Sequence, residues 1–245
     1  MITSLTNDRV KDLVRLRERR HRDRTGRFLI EGYRELLRAV DAGVGFETLY
    51  ICRQLFLGSN EDSLIERIAA MDAEIVEMAP PPFRKVSYRD RPEGLLAVAI
   101  QFGTSLADLT LSHQPLLLVA ESIEKPGNLG TMLRTADAAG ADAVIVADPT
   151  TDPFNPNVVR SSTGTLFTVP IAVGSTPDLL AWLRRHSIAV AATTPDTDVL
   201  LWDADLTGPL AVVIGAEQYG LSSQWLERAD LRIRIPMGGT ADSLN

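Results

Sequence analysis

The residues with the clearest chemical potential lie where a predicted strand gives way to a glycine-containing helix. The sequence GNLGTMLRT, residues 127–135, follows the apolar run PLLLVAES, residues 115–122. Free N–H groups at the start of such a helix favour a phosphate or another anion. At about 100° per residue, one side of this helix carries Gly127, Gly130, Arg134 and Ala138. This face indicates an anion site or, alternatively, a helix packed tightly on a sheet with Arg134 in a structural salt bridge.

Two further stretches place polar residues after predicted strands. In VVIGAEQYGLSSQWL, residues 212–226, Glu217 lies between Gly215 and Gly220. The glycines indicate a backbone that approaches a ligand closely, although a lone carboxylate in such a loop is also typical of a solvated residue. In IRIPMGGTADSLN, residues 233–245, a strand leads into a Pro-Met-Gly-Gly loop. Neither a Walker loop nor a dinucleotide fingerprint is present in these stretches.

Strands and helices alternate along the whole sequence, which predicts an α/β protein. A first α/β unit is expected over residues 1–103, with a helix over residues 8–19 followed by a polar stretch. We expect a linker over residues 104–114 and a second α/β domain over residues 115–245. Six runs rich in Val, Ile and Leu predict a parallel sheet covered on both faces. Ligands of such sheets bind at loops beyond the C-terminal ends of the strands.

Charge is distributed unevenly along the chain. Residues 1–40 contain 11 Lys+Arg and 6 Asp+Glu, whereas the remainder contains 14 and 26, and the net charge of the whole chain is −7. This asymmetry indicates a basic binding surface on an acidic body, such as one for a nucleic acid, or a helix whose charges only keep it soluble. The candidate nucleic-acid-binding residues are Arg15, Arg19, Arg20, Arg22, Arg24 and Arg27.

Composition argues against several other classes of protein. The chain is 45% hydrophobic, yet no apolar stretch approaches the roughly 18 residues that span a bilayer. The N-terminus lacks the pattern of a signal peptide. Cys52 is the only cysteine and the three histidines lie far apart in sequence, so neither disulfides nor a metal site is expected. A soluble cytoplasmic protein without a membrane partner is the simplest interpretation.

Taken together and in order, three segments resemble the motifs of the SpoU (TrmH-type) RNA 2′-O-ribose methyltransferases. These segments are EKPGNLGTMLRTADAAG, IGAEQYGLS and IPMGG…SLN. The N-terminal SLTNDRVKDLVRLRERRHR…GRFLIEG resembles the substrate-binding domain of many rRNA-directed members, and EKPGNLG and DPFNPNVVRSS are similar to the antibiotic-resistance rRNA methyltransferases. The resemblance implies two α/β domains: a ribosomal-protein-like substrate-binding domain and a trefoil-knot (SPOUT) methyltransferase domain that pairs into a homodimer.

The resemblance also implies a set of site residues. The cofactor S-adenosylmethionine would be held largely by backbone groups of Gly215, Ile235 and Leu244. The implied catalytic residues are Asn128, Arg134, Glu217, Ser243 and Asn245. Ser243 and Asn245 would orient the ribose hydroxyl, and Glu217 would orient its loop or Arg134. Family chains continue with a helix that completes the knot, so cofactor binding is expected to depend on such a helix after Asn245.

Arg134 is the residue on which the implied chemistry depends most. Family proposals make this arginine the proton acceptor, but an arginine pKa above about 12 keeps the side chain charged. We therefore expect Arg134 to clamp the phosphate beside the target ribose and to stabilise the developing oxyanion. The main hypothesis is methylation of a ribose 2′-hydroxyl in large-subunit rRNA. The alternatives are a tRNA 2′-O-methyltransferase, a base methyltransferase of the wider knotted superfamily, and a non-catalytic RNA-binding protein.

Overall fold

The structure, a computed structural model, describes residues 1–240, which divide into two compact units. The first unit contains Met1–Phe102 and Asp152–Thr168, and the second contains Gly103–Thr151 and, of the described residues, 169–240. The predicted linker over residues 104–114 thus belongs to the second unit, where Leu106, Leu109 and Leu111 pack against the core. Among the described residues, no helix is both long and apolar enough to cross a membrane.

The first unit is built on a mixed sheet. Its strands are β1 (Arg27–Glu31), β2 (Phe46–Ile51), β3 (Glu74–Glu77) and β4 (Leu95–Ile100). Its helices up to this strand are α1 (Asp8–Arg15), α2 (Arg19–Thr25), α3 (Tyr33–Asp41), α4 (Glu61–Ala69) and α5 (Pro80–Val86). The strand order is β1-β4-β2-β3, with β4 antiparallel to both neighbours and β2 parallel to β3. One apolar cluster joins α1 and α5 to the sheet through Val10, Leu13, Phe83 and Val86.

The N-terminal helix differs from its prediction. The structure ends α1 at Arg15 and begins a second helix, α2, inside the stretch that the sequence indicated as polar. The only buried residues of α2 are His21 and Arg22, so no apolar stripe in the sequence predicts this helix. It ends at Gly26, whose φ of 64° is the left-handed conformation that glycine adopts without strain. The position of α2 is therefore a consequence of tertiary contacts rather than of periodicity.

A later segment of the chain belongs to the first unit. Helix α7 (Pro156–Ser161) lies in the Asp152–Thr168 stretch. The ring of Phe154 lies 4.9 Å from the ring of Phe28 on β1, and the ring of Phe167 lies 6.3 Å from it. Such aromatic packing adds to the stability gained from burial alone. Nothing in the sequence pattern indicated that residues 152–168 leave the second α/β run.

The second unit contains the predicted parallel sheet, which is confirmed. Its strands are β5 (Leu116–Glu121), β6 (Ala143–Ala147), β7 (Ile171–Gly174), β8 (Ala189–Thr193), β9 (Leu210–Ile214) and β10 (Leu231–Ile233). Its helices are α6 (Pro126–Ala139), α8 (Thr176–Arg185) and α9 (Ser223–Arg228). Within the described residues the order is β10-β8-β9-β5-β6-β7, and every pairing is parallel. All five residues of β6 are buried, as coverage on both faces predicts.

Candidate active site

The C-terminal edge of the parallel sheet brings the three candidate stretches together. Strand β5 leads into α6, its neighbour β9 leads into the loop 215–222, and β10 leads into residues 234–240. Parallel strands end at the same edge, so the segments that follow them share one side of the unit. Open α/β sheets bind their ligands at this edge, beyond the C-terminal ends of the strands.

Helix α6 presents Arg134 to solvent. Arg134 is exposed and forms no salt bridge with any described residue. The alternative of a structural ion pair for Arg134 therefore has no support in the described part of the chain. Ala138 and Gly127 on the same side are exposed as well, whereas Gly130 is buried and does not widen the open face. Asn128 in the first turn is half-buried, and its backbone N–H donates to the carbonyl of Lys125 over 3.0 Å.

The loop after β9 is a tight turn. The N–H of Ala216 donates to the carbonyl of Gly220 over 3.1 Å, and the N–H of Gly220 donates back over 2.9 Å. A Cβ on Gly215 would overlap the carbonyl group of Gly220, so only glycine lets the turn close against the strand end. The turn therefore holds Glu217 and its neighbours on a fixed backbone.

Two contacts fix this turn to the strand and helix beside it. Glu217 forms an ion pair with Lys125, the residue at the N-cap position of α6. Glu121, buried at the end of β5, accepts a hydrogen bond of 2.8 Å from the N–H of Ser222. Glu217 thus orients its loop against α6, and it pairs with Lys125 rather than with Arg134. Sequence reasoning missed Lys125 and Glu121, because neither position stands out by spacing or by residue type.

The implied cofactor residues are only partly described. Gly215 lies at the end of β9, and Ile235, which is 45% exposed, follows β10. Met237 adds a second exposed apolar side chain in the same segment. The turn after β9 offers backbone groups for hydrogen bonds, and the segment after β10 offers exposed apolar side chains. This combination suits a ligand that joins an adenosine to an amino-acid group. Ser243, Leu244 and Asn245 lie outside the described residues.

Residues 115–245 match the SpoU rRNA Methylase family. The chain belongs to this family. Residues 7–97 match the MRM3-like substrate binding domain, so the N-terminal part of this SpoU methylase also belongs to a known type of domain. Both halves of the predicted fold class are thereby confirmed, and the expected family is the correct one.

Relatives and solved structures with the same organisation extend over nearly the whole chain. The chain is 34% identical over 239 residues to a 23S rRNA (uridine(2479)-2′-O)-methyltransferase of Streptomyces viridochromogenes, covering 94% of this chain and 82% of that protein. It is similar to the crystal structure of an RNA 2′-O ribose methyltransferase, with 43% identity, a TM-score of 0.87 and coverage of 100% and 92%. It is also similar to an AdoMet-bound rRNA methyltransferase from Sinorhizobium meliloti, with 33% identity, a TM-score of 0.90 and coverage of 100% and 91%.

The N-terminal arginines have unequal surroundings in the first unit. The exposed members of the predicted set are Arg15, Arg19, Arg20 and Arg24. Arg27 is half-buried and forms ion pairs with Asp12 and Glu47 at 3.1 and 2.9 Å. Arg22 is 1% exposed, pairs with Asp152 at 2.6 Å, and donates to the carbonyls of Leu16 and Arg17. A guanidinium that is buried and fully used inside the unit cannot contact an RNA phosphate, so the structure removes Arg22 from the set.

Proposed function

We propose that this protein is an S-adenosylmethionine-dependent methyltransferase that acts on a ribose 2′-hydroxyl of ribosomal RNA. The observation that carries the proposal is an exposed Arg134, without a salt bridge to any described residue, on the helix that carries the first motif of a SpoU methylase. The names of its relatives, 23S rRNA 2′-O-methyltransferases, support rRNA as the substrate class. A structure of an AdoMet-bound relative supports the cofactor.

The reaction sets a specific demand on the residues of the chain. S-adenosylmethionine supplies a methyl group on a sulfonium sulfur, which is a good leaving group. A ribose hydroxyl is a weak acid, so the protein must position its oxygen and stabilise the negative charge that develops there. As the O–CH3 bond forms, the sulfonium leaves as a thioether and the hydroxyl proton passes to solvent water. Arg134 performs the second task by donating N–H groups to the oxyanion and to the adjacent phosphate. Positioning alone contributes several kcal/mol to the lowering of the barrier.

The remaining site residues hold the geometry. Asn128 offers an amide in the first turn of α6, and the Lys125–Glu217 ion pair keeps the turn after β9 against that helix. We propose Gly215, Ile235 and Leu244 as cofactor-binding residues, and Ser243 and Asn245 as residues that orient the hydroxyl. The roles of the last three rest on the family resemblance of the motif.

The decisive experiment maps 2′-O-methylation on rRNA incubated with S-adenosylmethionine, with and without the protein. We expect one new ribose methyl group that depends on wild-type protein and forms about 100-fold more slowly with Arg134→Ala. Methylation of tRNA alone would select the tRNA alternative, and a methyl group on a base would select the base methyltransferase. RNA binding without any methyl transfer would identify a non-catalytic member of the fold.

We also propose that the protein is a homodimer that pairs through its methyltransferase domain. The family resemblance supports this proposal. Sedimentation at micromolar concentration should give a mass near twice 26.7 kDa. A monomer with full activity would refute it. We also propose a cytoplasmic location, because the proposed substrate is ribosomal RNA.

The exposed N-terminal arginines are proposed as sequence-independent RNA contacts. Arg15, Arg19, Arg20 and Arg24 lie on or next to two consecutive short helices of the first unit. Their charge contrasts with the acidic remainder of the chain, which would repel RNA. Contacts to phosphates position the RNA but do not read its sequence.

A further inference from the structure

A single arginine fixes the segment before β4 to the start of α3 in the first unit. Arg89 forms ion pairs with Glu93 and, at 2.8 Å, with buried Glu35 of α3. It also donates to the carbonyl of Glu31 over 3.3 Å. In the same place, Glu93 accepts a hydrogen bond of 3.3 Å from the N–H of Tyr33. The segment 87–93 is therefore held against the β1–α3 junction by several charged contacts.

The sequence is adapted to this contact at Gly32. Its φ of 106° lies in the region that favours glycine, and a Cβ there would overlap the guanidinium of Arg89. The other end of the segment is fixed through Glu31, which accepts hydrogen bonds from the Ser87 hydroxyl and, at 2.7 Å, from the N–H of Tyr88. Desolvation by burial raises the pKa of Glu31, and these donors partly oppose that shift. The segment thus has a defined conformation before any partner binds.

Three exposed arginines belong to this segment or to the helices next to it. Arg34 follows Tyr33 on α3, Arg91 lies two residues before Glu93, and Arg160 on α7 lines a narrow cleft together with Tyr88 and Arg89. None of the three forms a salt bridge with a described residue. The exposed acid of the segment is Asp90, whereas the other carboxylates beside it are engaged by Arg89, Ser87 or backbone N–H groups. The outer layer of this surface is therefore positively charged.

An aromatic ring lies within the same surface. The guanidinium of Arg17 lies 5.1 Å from the centroid of the Tyr88 ring and donates to the carbonyls of Lys85 and Ser87. Tyr88 is thereby placed between the end of α1 and the cleft that Arg160 lines. Aromatic rings among cationic side chains are the combination that proteins use for single-stranded RNA.

From these contacts we propose that Arg34, Arg91 and Arg160 form a second RNA-binding surface of the first unit, centred on the segment fixed by Arg89. The proposal rests on the proposed function, because it assigns this surface to the same rRNA substrate. The three guanidinium groups contact phosphates of an unpaired or bulged strand, and Tyr88 lies beside a base. This surface joins residues from three separate parts of the sequence, which explains why the charge count over residues 1–40 did not indicate it.

Side-chain partners distinguish this surface from several of the N-terminal arginines. Arg27 at the start of β1 pairs with Asp12 and Glu47, Arg24 contacts His21, and Arg19 contacts Asp23. No such ion pair with a described residue is formed by Arg34, Arg91 or Arg160. The carboxylates beside the fixed segment are already engaged by Arg89, Ser87 or backbone N–H groups. RNA binding does not have to displace a carboxylate of the described residues from these three guanidinium groups, so this surface is expected to contribute more of the affinity per arginine.

The experiment compares full-length wild-type protein with the triple variant Arg34→Gln, Arg91→Gln, Arg160→Gln. The probe is an rRNA fragment that wild-type protein methylates, and its binding is measured by filter titration across salt concentrations. Loss of three phosphate contacts should reduce the log–log salt slope by about two units, at roughly 0.7 to 0.9 per contact. Extrapolated from 1 M to 0.15 M salt, a slope change of about two corresponds to about 40-fold weaker RNA binding.

A matched control and two further readouts make the result decisive. Arg53→Gln, Arg67→Gln removes two exposed arginines of the same unit that pair with Asp62 and Asp41, and it should leave RNA affinity and slope unchanged. Cofactor affinity, measured by calorimetry, and the unfolding transition should be the same in all proteins. If wild-type protein methylates the RNA but the triple variant binds with unchanged affinity and slope, the second surface is refuted, and an acidic protein partner becomes the better explanation of the patch. If wild-type protein transfers no methyl group to RNA, the proposed function itself fails.

Discussion

Arg134→Ala separates the catalytic hypothesis from the structural one. The side chain is exposed and has no salt bridge among the described residues, and its replacement by alanine suits a helix interior. We therefore expect the free energy of unfolding to change by no more than about 0.5 kcal/mol. A structural ion pair would give a clear loss of stability instead.

The expected effect on catalysis is much larger than the effect on stability. Loss of a donor that stabilises a developing oxyanion typically reduces turnover by about 100-fold or more. A 100-fold reduction corresponds to about 2.7 kcal/mol in the activation free energy. Cofactor affinity should stay within a few-fold of wild type, because Arg134 lies on α6 and the proposed cofactor groups follow β9 and β10. Arg134→Lys should recover only part of the rate, since an ammonium lacks the planar fork that binds a phosphate.

The assay is single-turnover transfer of a labelled methyl group to rRNA at saturating RNA and cofactor. Urea unfolding and cofactor calorimetry are measured on the same preparations. Arg185→Ala is the matched control, because Arg185 is exposed but ends α8, which precedes β8 and so lies at the opposite edge of the sheet. Near-normal turnover of Arg134→Ala would end the proposed role. A loss of activity that is matched by a destabilisation above about 2 kcal/mol would instead assign Arg134 a structural role.

Three further predictions concern residues whose surroundings are defined by the structure. Arg22→Gln should lower the free energy of unfolding by about 3 kcal/mol or more, because it leaves buried Asp152 without its charge partner; a loss below about 1 kcal/mol in urea titrations would contradict this. Gly215→Ala should weaken cofactor binding at least about tenfold by forcing the Ala216–Gly220 turn away from the end of β9, and unchanged calorimetric affinity would show that the turn is not part of the cofactor site. Cys52 is 2% exposed and burial raises the pKa of its thiol, so a thiol-specific reagent at pH 8 should modify it only after unfolding; reaction in native buffer at the rate of a free thiol would be the contrary result.

The sequence by itself determined the class of fold and the family. Runs such as LLLVAE and AVIVA are apolar on both faces, and this local pattern is sufficient to predict buried parallel strands. The motifs that follow these strands appear in a fixed order, which was sufficient for the resemblance to SpoU methyltransferases that the family match then confirmed. Both features depend on residues close together in the chain.

The tertiary structure alone decided which of these residues meet. The strand order places β9 beside β5, and this pairing brings Glu217 to Lys125 across 92 positions of the sequence. The fold also buries Arg22, a candidate RNA contact, in an ion pair with Asp152, because residues 152–168 belong to the first unit. The fold likewise placed Arg160 of α7 beside Arg89 and Tyr88 in one cleft. Hydrophobic periodicity encodes which face of an element is buried, but it carries no information on the partner that buries it, and side-chain chemistry depends on that partner.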